Sequence, residues 1–471
     1  MNNYAKQIRR LQELGPRTSG SHAHQLLIED VAGELAAMGY EVQRDTHVFE
    51  KWDVSPEKIG LTVAGQTVAV SSAWPYSGET KPGGVTAPLV YLPGRLKKWK
   101  TAAGKIAVVE VRNLDVPTKL LVDSWNDELP FSTASNPVIG SELSGTDLTK
   151  AREAGVLGVV AVWREFADDA AKAQYLPFTR DYQGVPAVWV PQSEANTVVS
   201  AAKVGATATL TLVAERTPNA TMDTLWTVSP GSGPRAQESI LVVTHSDGGN
   251  AVEENGHLGL LELARDAAAS PHARSIVFVY TAGHLRIPAV TTHGQATTAW
   301  LTAHPELWSA DADGLCAVAG LVIEHLGARQ YAIDPATHHY GPTHEPEPEL
   351  LYATTGELAA LARETWSGVE IDNAVPVKPG ALVHFGEGEP LFQHLIPAIA
   401  LVTGPVYLLA ETNDDVVDLD VLARQIDSFR RLQAHLAGPV DAAAFGKVKL
   451  PGKLQKAVAA AKVLRFVALH R

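Results

Sequence analysis

A single cysteine, Cys316, stands among 471 residues, which excludes an intramolecular disulfide framework and any zinc knuckle built on thiolates. A metal bound to this chain must therefore take histidine and carboxylate ligands. Positive charge is also scarce: 39 Lys and Arg against 52 Asp and Glu leave a net charge of −13. Nucleic-acid binding draws most of its affinity from clustered cations, so no nucleic-acid partner is expected. No segment runs long enough without charge to span a bilayer. The opening MNNYAKQIRRLQEL lacks an apolar core of the length a secretory signal needs. As written, the sequence points to the cytoplasm, and to secretion if the true start is missing. Composition, 45% hydrophobic and 19% charged, is that of a globular protein with room for more than one domain.

The densest chemistry lies in one stretch. Residues 240–244 form an apolar, β-branched run that ends in His245-Ser246-Asp247-Gly248. This reads as a buried strand delivering polar side chains to the end of a sheet, where α/β enzymes place their chemistry. A Gly-Gly-Asn loop follows, then Glu253-Glu254-Asn255-Gly256 and a leucine-rich helix. Imidazole and carboxylates converging on one strand-loop-helix turn suit a zinc-type ion. Two readings stay open here: a metal site, or an ordinary His245–Asp247 hydrogen-bonded pair with the glutamates in a first helical turn for dipole reasons.

Elsewhere, periodicity predicts helices over 3–14 and 22–38, the second capped by Ser21 and stopped at Gly39. Apolar strands are expected at 275–281, 317–323 and 398–403, with helices between them. This alternation implies a three-layer αβα architecture around a mostly parallel, mixed sheet. A Pro/Gly/Ser-rich stretch over 71–93 reads as a domain boundary. Beyond it the rhythm changes, with strands at 106–111, 158–163, 185–190 and 207–213 and a short helix at 147–154. Residues 451–470 read as an Ala/Leu/Val-rich helix that packs on the body.

The order apolar strand, His-x-Asp, Gly/Asn loop, acidic-Asn-x-Gly and Leu-rich helix resembles the di-zinc aminopeptidases related to glutamate carboxypeptidase and the transferrin receptor. The opening Arg17-Thr18-Ser19-Gly20-Ser21, then a helix, then Gly39-Tyr40-Glu41-Val42, is similar to the start of that family. The segments AGKIAVVEV, DLTKAREAGVLGVVAVW and GVPAVWVPQSEANTV resemble its protease-associated (PA) insert. The resemblance implies a discontinuous peptidase-like domain over 1–75 and 216–440, a β-rich PA insert over 76–215, and a helical tail over 441–471.

The resemblance also implies metal ligands at successive strand ends. His245 matches the first His and Asp247 the acidic residue that orients it. Glu254, followed by Asn255, is similar to a bridging Asp, with Glu253 as rival. Where the family has Gly-Glu-Glu, this chain reads Ala282-Gly283-His284-Leu285, so the usual general base is missing and His284 stands as ligand or base. Glu324 replaces an Asp, and near the family's final His only Glu411 offers a ligand.

The metal set implied is therefore His245, Asp247, Glu254, His284, Glu324 and Glu411, and the catalytic set Glu253, Glu254 and His284. This suits one zinc rather than two, with other divalent metals open. The activity expected is that of a metal-dependent hydrolase of the aminopeptidase type, cleaving peptide or other amide bonds with a metal-bound water. The alternative is a non-catalytic pseudopeptidase that binds partners. His284 separates the two: the metal reading expects its ring within direct or one-water reach of His245 and of at least one of Glu253, Glu254 and Glu324, whereas a ring facing away and bonded to backbone favours the binding protein. His338, His339 and His344 read as surface-loop residues, and His384 or His394 as cleft-lining.

Overall fold

The computed structural model describes residues 4–178, 180–285, 295–333, 340–369, 375–382, 384–412 and 415–469. Its larger sheet is mixed and nine-stranded. The four central strands, Ser275–Thr281, Glu238–His245, Cys316–Ile323 and Ala398–Thr403, run parallel in that spatial order. Antiparallel strands flank them, Glu215–Ser229 and Gln43–Asp53 on one side and Glu349–Ala353 on the other. Ser275–Thr281 and Ala398–Thr403 are buried at every residue, as expected for strands covered on both faces.

Alternate strand residues face opposite layers. Ile240, Val242, Phe278, Leu321 and Leu401 pack with helices that include His22–Ala37, Gly256–Ala269 and Leu419–Leu436. Leu241, Val243, Val277, Val322 and Ala400 pack with Trp300, Leu301 and Leu391 on the other side. The three-layer arrangement follows from this period of two.

A second sheet of eight strands lies between Asp53 and Glu215 in the chain. Its order is Gln66–Val68, Ile59–Val63, Thr207–Leu212, Val85–Tyr91, Ile106–Arg112, Gly158–Arg164, Ala187–Val190 and Ser72–Ala73. The Pro/Gly/Ser-rich stretch over 71–93 is part of this sheet rather than a link to it. Strands Gln43–Asp53 and Glu215–Ser229 pair with each other in the larger sheet, so the chain leaves it just after Asp53, ahead of the division expected at 75/76. Part of the intervening chain returns: Val122–Ser124 pairs with Val377–Pro379 at the edge of the larger sheet. In the core of the second body Trp74, Trp189 and Trp163 form a stack, with ring centroids 4.9 and 4.3 Å apart and planes 6° and 13° from parallel. The two bodies share apolar contacts, since Leu285 and Leu409 from the larger one pack into this core. The helix Lys453–Leu469 ends the described chain. No helix among the described residues is long and apolar enough to cross a membrane.

Candidate metal centre

Three adjacent parallel strands end at the same edge of the larger sheet, and each delivers ionisable groups there. Glu238–His245 ends in His245 itself; Ser275–Thr281 leads through Ala282 and Gly283 to His284; Cys316–Ile323 leads to Glu324 and His325. Glu253 comes from the turn before helix Gly256–Ala269. The side chain of Asn255 bonds both backbone groups of Leu326, at 2.7 Å each, which ties that helix start to the loop carrying Glu324 and His325.

These groups meet. The rings of His245 and His284 lie stacked, centroids 4.0 Å apart. Nε2 of His284 is 3.9 Å from Glu253 Oε1, and Nε2 of His245 and of His325 are each 3.8 Å from Glu324 Oε2. Two overlapping groups of ligand-capable atoms result, His245–Glu253–His284 and His245–Glu324–His325, with the atoms in each within 4.8 Å of one another.

The second ring nitrogens are held by the protein. Nδ1 of His245 bonds the Asp247 carbonyl at 3.0 Å and Nδ1 of His325 the Thr403 carbonyl at 2.6 Å. A carbonyl can only accept, so each Nδ1 carries the proton and each Nε2 presents a lone pair to the cluster. Both Nε2 atoms, both Glu253 oxygens and Glu324 Oε2 are buried without a hydrogen-bond partner. Buried polar atoms in that state carry a desolvation cost. A divalent cation among them would remove it, and imidazole nitrogen with carboxylate oxygen is a donor set such an ion accepts. The residues present therefore fit a metal.

Burial sets the charge states. It holds His245 well below the ordinary histidine range, helped by His284 and His325, and lowers His325 to about 3, helped by His284. Both rings are neutral, as ligands must be. Burial also pushes Glu253 well above the carboxylate range and Glu324 to about 8. His284 goes the other way: burial alone would lower it, but its Nδ1 bond to Glu387 Oε1 at 2.8 Å and the nearby carboxylates raise it to about 9. Glu387 is itself anchored, its Oε2 accepting from Thr297 N at 2.8 Å and its own N–H donating to Glu324 Oε1 at 2.6 Å. Gly386 makes this approach possible, because with φ +62° a Cβ there would lie 2.3 Å from both Glu324 oxygens.

Of the residues expected from sequence, His245, Glu253, His284 and Glu324 come together. Asp247 lies in neither ligand group, because its carboxylate accepts from the backbone N–H of Gly283, His284 and Leu285 at 3.2, 3.1 and 2.9 Å and from the Ser19 hydroxyl. Its role there is to hold the loop that carries His284. Glu254 also stands apart, paired with the fully buried Arg17. Burial raises its carboxyl to about 7 against the pull of that guanidinium. Glu411 is exposed, because after Thr403 the chain turns to the second body, where Glu411 N bonds Ala173 O. In its place the structure brings His325 to the cluster, its ring reaching the end of strand Ala398–Thr403 from the neighbouring strand.

Neither His325 nor Glu387 is among the residues expected from sequence. Adjacency to Glu324 at a strand end was the signal for the first, while nothing local marks the second. His384 packs on Phe392 and His394 on Trp308, away from the ligand groups. His338 and His339 lie outside the described residues, as does the side chain of His344.

No sequence family matches the chain, nor does any curated protein. Solved structures do. A peptidase precursor from Shewanella amazonensis is 13% identical at TM-score 0.64, with 95% of this chain and 94% of that one covered. An aminopeptidase from Aneurinibacillus sp. strain AM-1 is 16% identical at 0.59, and a zinc aminopeptidase from Bacillus subtilis 15% at 0.59, each with 92% of this chain and 95% of the other covered. At these identities the likeness extends to architecture over nearly the whole of each chain: this protein has the fold of the zinc aminopeptidases.

Proposed function

We propose that this protein is a metal-dependent hydrolase of the aminopeptidase type, acting on peptide or other amide bonds and holding one divalent ion, zinc by preference. The observation that carries the reading is the group His245–Glu324–His325, two neutral imidazoles and a carboxylate with unpartnered atoms buried at the end of a parallel sheet. The rival group contains His284, whose bond to Glu387 keeps it protonated and so without a free lone pair. Two ligand atoms 3.8 Å apart suit an ion about 2 Å from each.

When bound, such an ion polarises an amide carbonyl and makes water acidic. The chain supplies the rest. Nε2 of His245 and of His325 and Oε2 of Glu324 would hold the ion. Glu253, which burial keeps protonated until a cation lies nearby, would be charged beside the ion and take the proton of the attacking water, and His284 Nε2 beside it would donate to the leaving amine. Glu387 keeps His284 charged and oriented for that step. The second body is read as a PA domain, since the segments that resemble one form its strands Ile106–Arg112, Gly158–Arg164 and Ala187–Val190. Its Phe178 lies over the His284 ring at 5.4 Å, which makes it a cover of the site that excludes water.

One observation favours the second reading, a pseudopeptidase that binds partners: His245, Glu253, His284, Glu324 and His325 are all 5% exposed or less. Metal analysis with a screen of aminoacyl and dipeptide amides separates the two. The hydrolase reading expects about one ion per chain and turnover abolished by His245→Ala. Metal-free protein that takes up no zinc at micromolar levels sinks it; zinc bound without turnover of any substrate leaves the binding protein.

A further inference from the structure

Two buried side-chain amides grip one stretch of backbone. The stretch is the turn over residues 405–411, which follows strand Ala398–Thr403. One amide, Asn250, belongs to the loop that leads to Glu253; the other, Gln174, belongs to the segment of the second body that leads to Phe178. Each residue is 1% exposed.

Asn250 donates to the carbonyls of Tyr407, Leu408 and Ala410 at 3.1, 2.8 and 3.1 Å. Its Oδ1 accepts from the N–H of Val252 and of Glu253 at 2.9 and 3.3 Å. Carbonyls only accept and backbone N–H groups only donate, so these partners fix which way the amide points. An asparagine that merely shaped its own loop would need only the two bonds to Oδ1. The three bonds to the turn are additional. Gly249 beside it allows the approach, since a Cβ there would lie 3.2 Å from the Ala410 carbonyl oxygen.

Gln174 donates to Ala170 O within its own segment at 2.8 Å and to Val406 O of the turn at 2.9 Å. Around it the two segments pair as a short antiparallel bridge, with Tyr175 N bonded to Leu409 O at 2.7 Å and Glu411 N to Ala173 O at 2.9 Å. Three residues beyond Tyr175, the Phe178 ring lies over His284. Glu253 meets the same imidazole at Nε2, 3.9 Å away. The contacts thus close a ring: cover, turn, Asn250, Glu253, His284 and cover again.

The five site groups are at most 5% exposed, so a substrate reaches them only when the cover moves. Lifting Phe178 either pulls Tyr175 from Leu409 or carries the turn with it, and a moving turn acts through Asn250 on the N–H of Glu253. We propose that Asn250 is a positioning residue that couples the cover to Glu253, so that this carboxylate stands at its working place beside His284 only while Phe178 is down. The chemistry served rests on the hydrolase reading; the coupling rests on the hydrogen bonds alone.

Hydrogen exchange on the metal-free full chain reads the coupling from both ends. Asn250→Asp keeps the acceptor for Val252 and Glu253 and removes the donors to the turn. In that variant the Tyr175 amide, which Asn250 does not touch, is expected to exchange at least ~10-fold faster, with strand Ala187–Val190 of the same body unchanged. Gln174→Met should speed the amides of Val252 and Glu253 by a similar factor, because coupling is reciprocal. Should one variant misfold, the other decides from its own end. On a substrate that wild type cleaves, Asn250→Asp should lower kcat at least ~10-fold and leave KM and zinc affinity within about threefold. Effects confined to the altered side overturn the proposal, as does a kcat loss that follows zinc loss. Wild-type protein that binds zinc and cleaves nothing strikes the hydrolase reading, and the exchange result then judges the coupling by itself.

Discussion

Nδ1 of His325 and the carbonyl of Thr403 are 2.6 Å apart, so the ring that completes the candidate ligand group hangs from the end of a strand to which it does not belong. Backbone geometry rather than another side chain orients it, and Thr403 Oγ1 returns a bond to the His325 carbonyl at 2.9 Å.

This arrangement separates the two overlapping ligand groups by experiment. His325→Ala is expected to weaken zinc binding at least roughly 100-fold, about 2.7 kcal/mol, while His284→Ala changes it less than about tenfold. Competition against a chromophoric chelator reads both. The opposite ranking would move the ion to Glu253 and His284.

Glu387 sets the charge of His284, and Glu387→Gln removes that charge without removing an acceptor for Thr297 N. The His284 value of about 9 exceeds the ordinary 6.5 of an unfolded chain. The pair therefore contributes stability that is fully present below pH 6.5 and lost as pH rises through about 9. Metal-free wild-type protein should lose urea resistance across that window, and the Gln variant should show a flatter profile. NMR titration of the His284 ring should place its midpoint lower in the variant; an unchanged midpoint would remove Glu387 as the cause.

Arg17 is 1% exposed and Glu254 fully buried. Removing one partner strands the other's charge in the interior, so Arg17→Met should cost about 3–5 kcal/mol. Adding Glu254→Leu to it should recover most of that loss. Urea unfolding of the two singles and the double makes the cycle, and additive effects would mean that the pair contributes little.

His257, which burial lowers to about 4, bonds the Glu254 carbonyl at 2.7 Å through Nδ1. A base with a depressed folded value contributes stability above pH 6.5 that fades as pH falls through about 4. The unfolded chain takes up the proton first, and the loss amounts to ~3 kcal/mol at most. His257→Gln should flatten the acid limb of stability over that window; a limb as steep as wild type would assign it to other groups.

Much of the scaffold was legible in the sequence. Residues 275–281 and 398–403 coincide with their strands at both ends, because a strand buried on both faces is an uninterrupted apolar run with polar stops. The cluster was legible where a strand end itself carries the ionisable group, as at His245, His284 and Glu324. It was not where function depends on what a side chain reaches across to. Glu254 has the spacing of a ligand, yet Arg17, 237 residues earlier, takes it. Glu411 stands in the right stretch, but the chain there follows the second body. Glu387 becomes meaningful only when a glycine lets its loop lie against Glu324, a contact between segments 63 residues apart.

The three stacked indoles of the second body give the protein an internal optical reporter. Trp163, Trp189 and Trp74 lie nearly parallel and stacked within 5 Å of their neighbours, close enough for their excited states to couple and to perturb the circular-dichroism signal of the indole bands. The larger sheet shows a different aromatic set, in which Trp226 and Trp300 meet edge-on at 6.4 Å. That pair couples as well, so Trp226→Phe is needed to leave the signal of the stacked body alone. Its disappearance on heating, timed against total helix content, would tell whether the cover melts before the sheet it lies on or together with it.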